Sequence, residues 1–304
     1  MECLNKCHVL ISPNRVIKKD GTLGNRVDFF HGLLSPVEQS LLPAEVRYEE
    51  VPCGKCVNCK RSKSYAQFLR LKMEQYSYKS SDICFMTFTY DNYHLPKDRL
   101  HNYRDFQLFM KRFRKHFPAD DIRYYCVGEY GERYGRPHYH VILFGVDLFS
   151  IADYHDVNEN GNILYYSNVI DKLWNNGLVN FSEVNDNVFG YVSQYGVKSL
   201  TSEDKPLVRS SRRGGLGYRF LDDNKDQIIK NGYILLDGKK YNCDKYVRSF
   251  LGVSDEWTAD YRSKLDYQHS IKVKTTSLSD DYINNILAQK YEERQRAKAL
   301  AKKL

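Results

Sequence analysis

His138 and His140 stand two residues apart in a run, 138–144, that is otherwise aromatic, β-branched or apolar. Such a run predicts a strand buried on at least one side. Alternate side chains of a strand share a face, so both imidazoles point the same way, about 6 to 7 Å apart along the backbone. Two of them can converge on one divalent ion. The run 122–129 predicts a second strand, and the glycine-bearing loop 130–136 lets it return antiparallel beside the first. Glu129 then lands near the histidine pair. Two neutral imidazoles and one carboxylate leave coordination positions open, the condition for a metal that polarises a phosphate. A chain with this histidine content holds about 0.3 His-x-His pairs by chance, so the pair needs its context. On a sheet it can equally be hydrogen-bonded, or hold a nucleic-acid phosphate with no metal.

The second chemical signal is Cys53-Gly54-Lys55-Cys56-Val57-Asn58-Cys59. Two consecutive Cys-x-x-Cys spacings suit a thiolate knuckle, with Cys3 or Cys7 free to complete a four-sulfur tetrahedral zinc site. A site of that kind has no open position and is structural. A redox Cys-x-x-Cys pair and free thiols are the alternatives. Cys84, Cys126 and Cys243 stand singly and read as packed thiols.

Tyr191, Tyr195 and Lys198 fall at i, i+4 and i+7, so on a helix they share a face. About two Tyr-x-x-x-Tyr pairs arise by chance among so many tyrosines, and packed core rings are the alternative. Their position, directly after the sheet that should carry the histidines, favours function. Residues 205–217, with Arg209, Arg212 and Arg213, form a cationic, glycine-bearing loop suited to phosphate contact, against a solvated linker.

These groups need a scaffold. Residues 1–52 carry turn residues and no long periodic pattern, which predicts an irregular arm. From 59 to about 78 a helix has Tyr65, Phe68, Leu69, Met73 and Tyr76 on one stripe, with Lys63, Arg70 and Lys72 on its solvated side. A strand over 83–90 is followed by a helix over 102–117 that buries Phe106, Phe109, Met110, Phe113 and Phe117. The two strands already described come next. After a polar excursion, 147–164, Ser167 caps a helix that Asn176-Gly177 stops, and 178–184 is a short strand. The order β-α-β-β-α-β predicts an α+β fold, ferredoxin-like or RRM-like: a four-stranded antiparallel sheet with helices on one face and the other free for a substrate. The expected division is an arm and zinc knuckle over 1–60, the main domain over 61–221, and a C-terminal part over 222–304. That last part holds a hairpin around Asp237-Gly238 and a polar helix ending in Arg294, Arg296, Lys298, Lys302 and Lys303.

Composition narrows the partner. The 304 residues carry a formal charge of +8, with 25 tyrosines and 15 phenylalanines interleaved among the charges. That mixture suits single-stranded nucleic acid, where cations track phosphates and rings stack on bases. No apolar run approaches about 18 residues, and Met1-Glu2-Cys3 does not begin a secretory signal, so a soluble intracellular protein is expected.

Taken together, 85–90, Gly128-Glu129-Tyr130-Gly131, Arg136-Pro137-His138-Tyr139-His140, 191–198 and the segment from Pro52 through Cys59 resemble, in order, the landmarks of a known family. It is that of the replication initiation proteins of small single-stranded DNA phages of the microvirus group, especially its gokushovirus-like branch, within the HUH endonuclease superfamily. The resemblance covers about residues 50–220. It implies His138, His140 and Glu129 as ligands of Mg2+ or Mn2+, and Tyr191 and Tyr195 as nucleophiles, with Lys198 helping Tyr195 to ionise. It also implies nicking and rejoining of single-stranded or supercoiled phage origin DNA through a 5′-phosphotyrosine, in the host bacterial cytoplasm, alongside host helicase and DNA polymerase and no membrane. One departure is Tyr139, bulky and part-polar where the family has an aliphatic; it faces away from the metal. No Gly-x-x-x-x-Gly-Lys-Ser/Thr sequence is present, so strand separation falls to the host or to supercoiling. Two other readings stay open: a non-catalytic zinc-knuckle protein that binds single-stranded nucleic acid, and a plasmid initiator or transposase of the same superfamily. Glu129 argues against the first, because a carboxylate at a phosphate site repels DNA unless a cation lies between them.

Overall fold

Residues 1–52 were expected to form an irregular arm; instead they hold a three-stranded antiparallel sheet. A computed structural model describes residues 3, 6–17, 23–30, 34–131, 134–158, 161–198 and 207–276. In it β1 (Cys7–Ile17) lies between β2 (Leu23–Phe30) and β3 (Arg47–Val51), with the short α1 (Pro36–Ser40) on the connection. The polar residues that suggested an arm occupy exposed strand positions, while Val9 is buried. The pairing of Cys7 with Val51 has a consequence for the cysteines. Extended four residues back, that register sets position 3 opposite position 55, between Cys53 and Cys56.

Next comes α2 (Val57–Gln75), whose last turns are buried nearly all round. Lys72, expected on a solvated side, is 4% exposed and pairs with Asp186. A buried ammonium is tolerated because its charge is met.

The main sheet is built from β4 (Ile83–Thr89), α3 (Tyr103–His116), β5 (Arg123–Tyr130), β6 (Pro137–Phe144), β7 (Asp153–Val157), β8 (Ile163–Tyr166), α4 (Asn168–Trp174), β9 (Val179–Ser182), α5 (Asp186–Lys198) and β10 (Val208–Ser210). Its strands run in the order β10-β5-β6-β4-β9-β8-β7, every pair antiparallel. The sheet thus has seven strands, where four were expected. The polar stretch 147–164 contributes the β7/β8 hairpin at one edge, and the cationic loop contributes β10 at the other. Both additions are edge strands, whose polar, exposed side chains hide a strand from a hydrophobic pattern.

The helical stripe of α3, Phe106, Phe109, Met110 and Phe113, packs with Ile170 and Trp174 of α4 on Met86, Phe88, Tyr139, Val141 and Leu143. Each such side chain contributes about 1.5 to 3 kcal/mol on burial. The opposite face is not free, as had been expected. Alternation puts Tyr125, Val127, Ile142 and Phe144 there, and Leu71 of α2 with Val188, Phe189 and Val192 of α5 covers them. The sheet therefore has helices on both faces, because its central strands are apolar on both. That cover stops where the apolar side chains stop. At that end β5 and β6 carry Glu129, His138 and His140.

α6 (Tyr218–Asp223) closes the first of two units, Met1–Asp223. The second, Asn224–Leu304, contains α7 (Lys225–Asn231), β11 (Tyr233–Leu236), β12 (Lys239–Asn242), α8 (Lys245–Leu251) and α9 (Asp255–Thr276). Asp237 and Gly238 both have positive φ, 48° and 74°, and join β11 to β12 in the tight hairpin expected. Its core gathers Ile228, Ile234, Leu236, Cys243, Val247, Leu251 and Tyr261. The expected basic helix ending in Lys303 lies outside the described residues. No helix among the described residues is long and apolar enough to cross a membrane.

Candidate functional site

Register on the sheet builds the first cluster. Glu129 of β5 stands opposite His138 of β6, and His140 is two residues farther along the same face. The Nε2 atoms of His140 and His138 lie 3.0 and 3.6 Å from Glu129 Oε2. One ligand atom from each of the three residues can be chosen so that all lie within 4.8 Å of one another. The far side of each ring is held as well. His138 Nδ1 donates to the Arg136 carbonyl at 3.3 Å, which leaves its Nε2 lone pair toward Glu129 when the ring is neutral. His140 Nδ1 is 3.1 Å from the hydroxyl of Thr87, its register partner on β4. Burial works to raise the Glu129 carboxyl, but hydrogen bonds from His138 and His140 and their charge outweigh it and hold the group at about 2. An oxygen and two imidazole nitrogens, oriented by outer partners, fit a divalent cation.

Two residues that sequence reasoning missed support this cluster. Thr87 is one. His101 is the other: its Nε2 lies 3.0 Å from the Glu129 carbonyl and 3.3 Å from that of His138, so one ring ties the backbones of both ligand strands. It approaches through Gly128, where a Cβ would come within 2.7 Å of the imidazole. The glycine beside the glutamate was the available signal. Tyr139 is fully buried on the opposite face and meets the Tyr90 hydroxyl at 3.1 Å.

Helix α5 brings both tyrosines to the cluster. The ring centres of Tyr191 and Tyr195 lie 5.7 and 5.5 Å from that of His140, and 4.5 Å from each other. Tyr191 is 42% exposed, whereas Tyr195 is half-buried. Burial, then the Tyr191 hydroxyl, then the charge of Glu129 push the Tyr195 phenol up. Lys198 ends α5, and its side chain lies outside the described residues.

At the amino-terminal end, the structure brings Cys3, Cys53, Cys56 and Cys59 together, with sulfur atoms within 4.8 Å of one another, and leaves Cys7 in β1. The register of β1 on β3 explains the choice between the two. Gly54, at φ 72°, lets the turn curl so that the Cys56 amide donates to Cys53 Sγ at 3.3 Å, and the Cys53 amide donates to Cys3 Sγ at 3.3 Å. Burial pushes the Cys59 thiol up to about 12, reinforced by neighbouring thiols. Four sulfurs that crowd one point with amide donors around them fit a tetrahedral zinc.

Arg209, Arg212 and Arg213 are exposed around a cavity of about 1000 Å³ that Arg114 and Arg219 also line, with Asp120 and Asp121. The guanidinium of Arg209 lies 5.1 Å from the Tyr103 ring centre. The loop's path is set from inside. Buried Arg123 pairs with buried Glu74 at 2.6 Å and donates to the carbonyls of Arg213 and Gly215, while Glu74 accepts from the Gly217 amide. This cavity borders Arg123 and Tyr124, at the other end of β5 from Glu129, about 20 Å away along the strand.

Against known proteins, residues 83–200 match the model of a family of replication-associated proteins of the ORF2 type. The chain is 27% identical over 245 residues to replication-associated protein VP4 of Bdellovibrio phage phiMH2K, which covers 75% of this chain and 74% of that protein. It is 28% identical to replication-associated protein ORF4 of Chlamydia phage 1, over 71% of this chain and 58% of that one. With replication-associated protein ORF2 of Spiroplasma virus 4 it shares 28% over 70% and 72% of the two chains. No solved structure matches. By sequence the chain thus falls among relatives of the phage replication-associated proteins, and its residues 83–200, which carry Glu129, His138, His140, Tyr191 and Tyr195, are its stretch of the ORF2-type replication-associated protein family.

Proposed function

We propose that this protein starts rolling-circle replication of a small single-stranded DNA phage, as a gokushovirus-like initiator and HUH endonuclease that nicks and rejoins origin DNA. One observation carries the reading: two phenols on one helix flank His140, with ring centres 5.7 and 5.5 Å from it, at a cluster that joins His140 to His138 and Glu129. The inner strand order β5-β6-β4-β9 supports it, since that is the arrangement of a ferredoxin-like βαββαβ unit.

His138, His140 and Glu129 would hold Mg2+ or Mn2+, and such an ion, when bound, draws charge from the scissile phosphate. The remaining steps belong to the chain. A tyrosine oxygen attacks phosphorus in line, the bond from phosphorus to the 3′ oxygen breaks, and that oxygen takes up a proton as a free hydroxyl able to prime a polymerase. The 5′ phosphate stays on the tyrosine. Ionising a free phenol at pH 7 costs about 4 kcal/mol, and the Glu129 charge adds to it at Tyr195 unless a cation intervenes; Lys198 is the candidate helper. After one round of synthesis the second tyrosine cuts the regenerated site and the first end is rejoined. Arg209, Arg212 and Arg213 hold phosphates of the strand. Structural zinc on Cys3, Cys53, Cys56 and Cys59 shapes the 1–60 segment beside the 61–221 endonuclease and the 222–304 tail. Host helicase and polymerase supply unwinding and synthesis in the host cytoplasm.

The test is to incubate the protein with single-stranded origin DNA and Mn2+, digest the mixture, and map DNA-linked tyrosine. An adduct on Tyr191 or Tyr195 is expected. Metal-loaded protein that binds the DNA yet forms no adduct on either residue would refute the reading.

A further inference from the structure

A second cavity, of about 580 Å³, opens directly beside His140 and differs in kind from the arginine cavity. No lysine, arginine, aspartate or glutamate lines it; five asparagines do. Two of the five have structural work. The Asn158 carbonyl oxygen accepts from the Asn162 amide in the β7/β8 turn, and that of Asn185 accepts from the Val188 amide at the start of α5. The side chains of Asn162, Asn180 and Asn187 engage no partner among the described residues. Asn180 also has a set place, because it stands opposite Thr87, which stands opposite His140. The three share one row across β9, β4 and β6, which puts Asn180 about 10 Å from the histidine. Aromatic walls complete the space: Phe85 stacks on His140 at 5.4 Å and meets Tyr191 edge-on at 6.2 Å.

Such a chamber is poor for a phosphate, which needs cations, and well suited to a base. An amide presents a donor and an acceptor side by side, the pattern that pairs with a base edge, and rings offer stacking faces to an unstacked nucleotide. We propose that this asparagine pocket reads the identity of a nucleobase adjacent to the scissile phosphate, with Asn180 as the main specificity residue and Asn187 and Asn162 at its rim. The inference rests on the proposed passage of a single strand over His140. It divides the labour: arginines hold the backbone about 20 Å away along β5, while an uncharged pocket beside the chemistry decides where the cut falls.

Binding and cutting are tested separately. Full-length protein, with divalent ions chelated at the active site by citrate, is mixed with a pool of randomised single-stranded oligodeoxynucleotides, and the bound fraction is sequenced. Wild type should enrich one base at one position about tenfold, the value of one good bidentate amide contact. Asn180→Ala should reduce that enrichment to below about threefold. Asn187→Ala, at an exposed position where folding is not at stake, should weaken it at the same position. Full enrichment retained by both variants would overturn the pocket, as would wild type binding the pool with no base preference. The bound oligonucleotides are then given Mn2+. Base-selective binding with no nick leaves the pocket standing and removes the proposed endonuclease; nicking at an unchanged position by both variants does the reverse.

Discussion

Replacing Cys3 and Cys7 one at a time by serine tests the amino-terminal cluster where sequence alone offers no choice between them. Cys3 Sγ accepts the Cys53 amide and lies 3.8 Å from Cys56 Sγ, whereas Cys7 opens β1 opposite Val51. Structural zinc in small peptides is worth about 10 to 16 kcal/mol over four ligands, hence about 2.5 to 4 kcal/mol per thiolate. Cys3→Ser should therefore weaken zinc binding by about 100-fold or more. Cys7→Ser changes one partly exposed strand atom and should cost less than about 1 kcal/mol with zinc unchanged. Zinc content is read by metal analysis of protein purified without chelators, affinity by competition with a chromophoric chelator, and stability by thermal melting. Zinc lost from Cys7→Ser but kept by Cys3→Ser would show the β1/β3 register to be wrong. Native protein with no zinc at all would leave four free thiols in place of a metal site.

At the other cluster, His138→Ala or His140→Ala should abolish cleavage while single-stranded DNA binding, read by fluorescence anisotropy, stays within about threefold, because the phosphate contacts lie elsewhere; parental nicking by the double variant would end the metal hypothesis. Tyr191→Phe and Tyr195→Phe should each leave some initial nicking, with the weaker failing to release closed circles, and the double variant should form no covalent adduct on denaturing gels. An adduct on one tyrosine alone, with the other dispensable through complete rounds, would make this a one-tyrosine enzyme. Glu129 has its folded pKa near 2, below its ordinary 4.5, so in metal-free protein its contribution to stability is present above about pH 4.5 and fades as pH falls toward 2, by up to about 3 kcal/mol. Glu129→Gln should flatten that part of the stability curve in urea titrations; an unchanged curve would mean that the carboxylate does not engage the histidines.

What could be read from the sequence was what repeats locally. The alternation along 138–144 put His138 and His140 on one face, and the phenylalanine stripe of α3 announced its buried side, because strand and helix periods are written in neighbouring residues. What escaped depended on pairings between distant segments. Nothing near Cys3 or Cys7 says which one meets Cys53; the register between β1 and β3, some 40 residues apart, decides it. Thr87 and His101 gained their places from cross-strand partners, not from a motif. The β7/β8 hairpin and β10 were hidden by edge-strand polarity, and the covered second face by the expectation that one sheet face stays open.

Helix α2 has its first turn inside the cysteine cluster, with Cys56 as N-cap and Cys59 one turn in, while Leu71 and Lys72 farther along it grip α5 through the Val188 and Phe189 side chains and Asp186. About 18 Å of rigid helix separates the two ends. The sulfurs and the phenols are thus mechanically in series, one fixing the strut against which the other is aimed. Loosening the first turn, by an oxidant at the thiols or by competition for zinc, would widen the arc swept by Tyr191 and Tyr195 while leaving the packing under α3 intact. The thiol state of the host would then act on the fidelity of strand rejoining before it acted on folding.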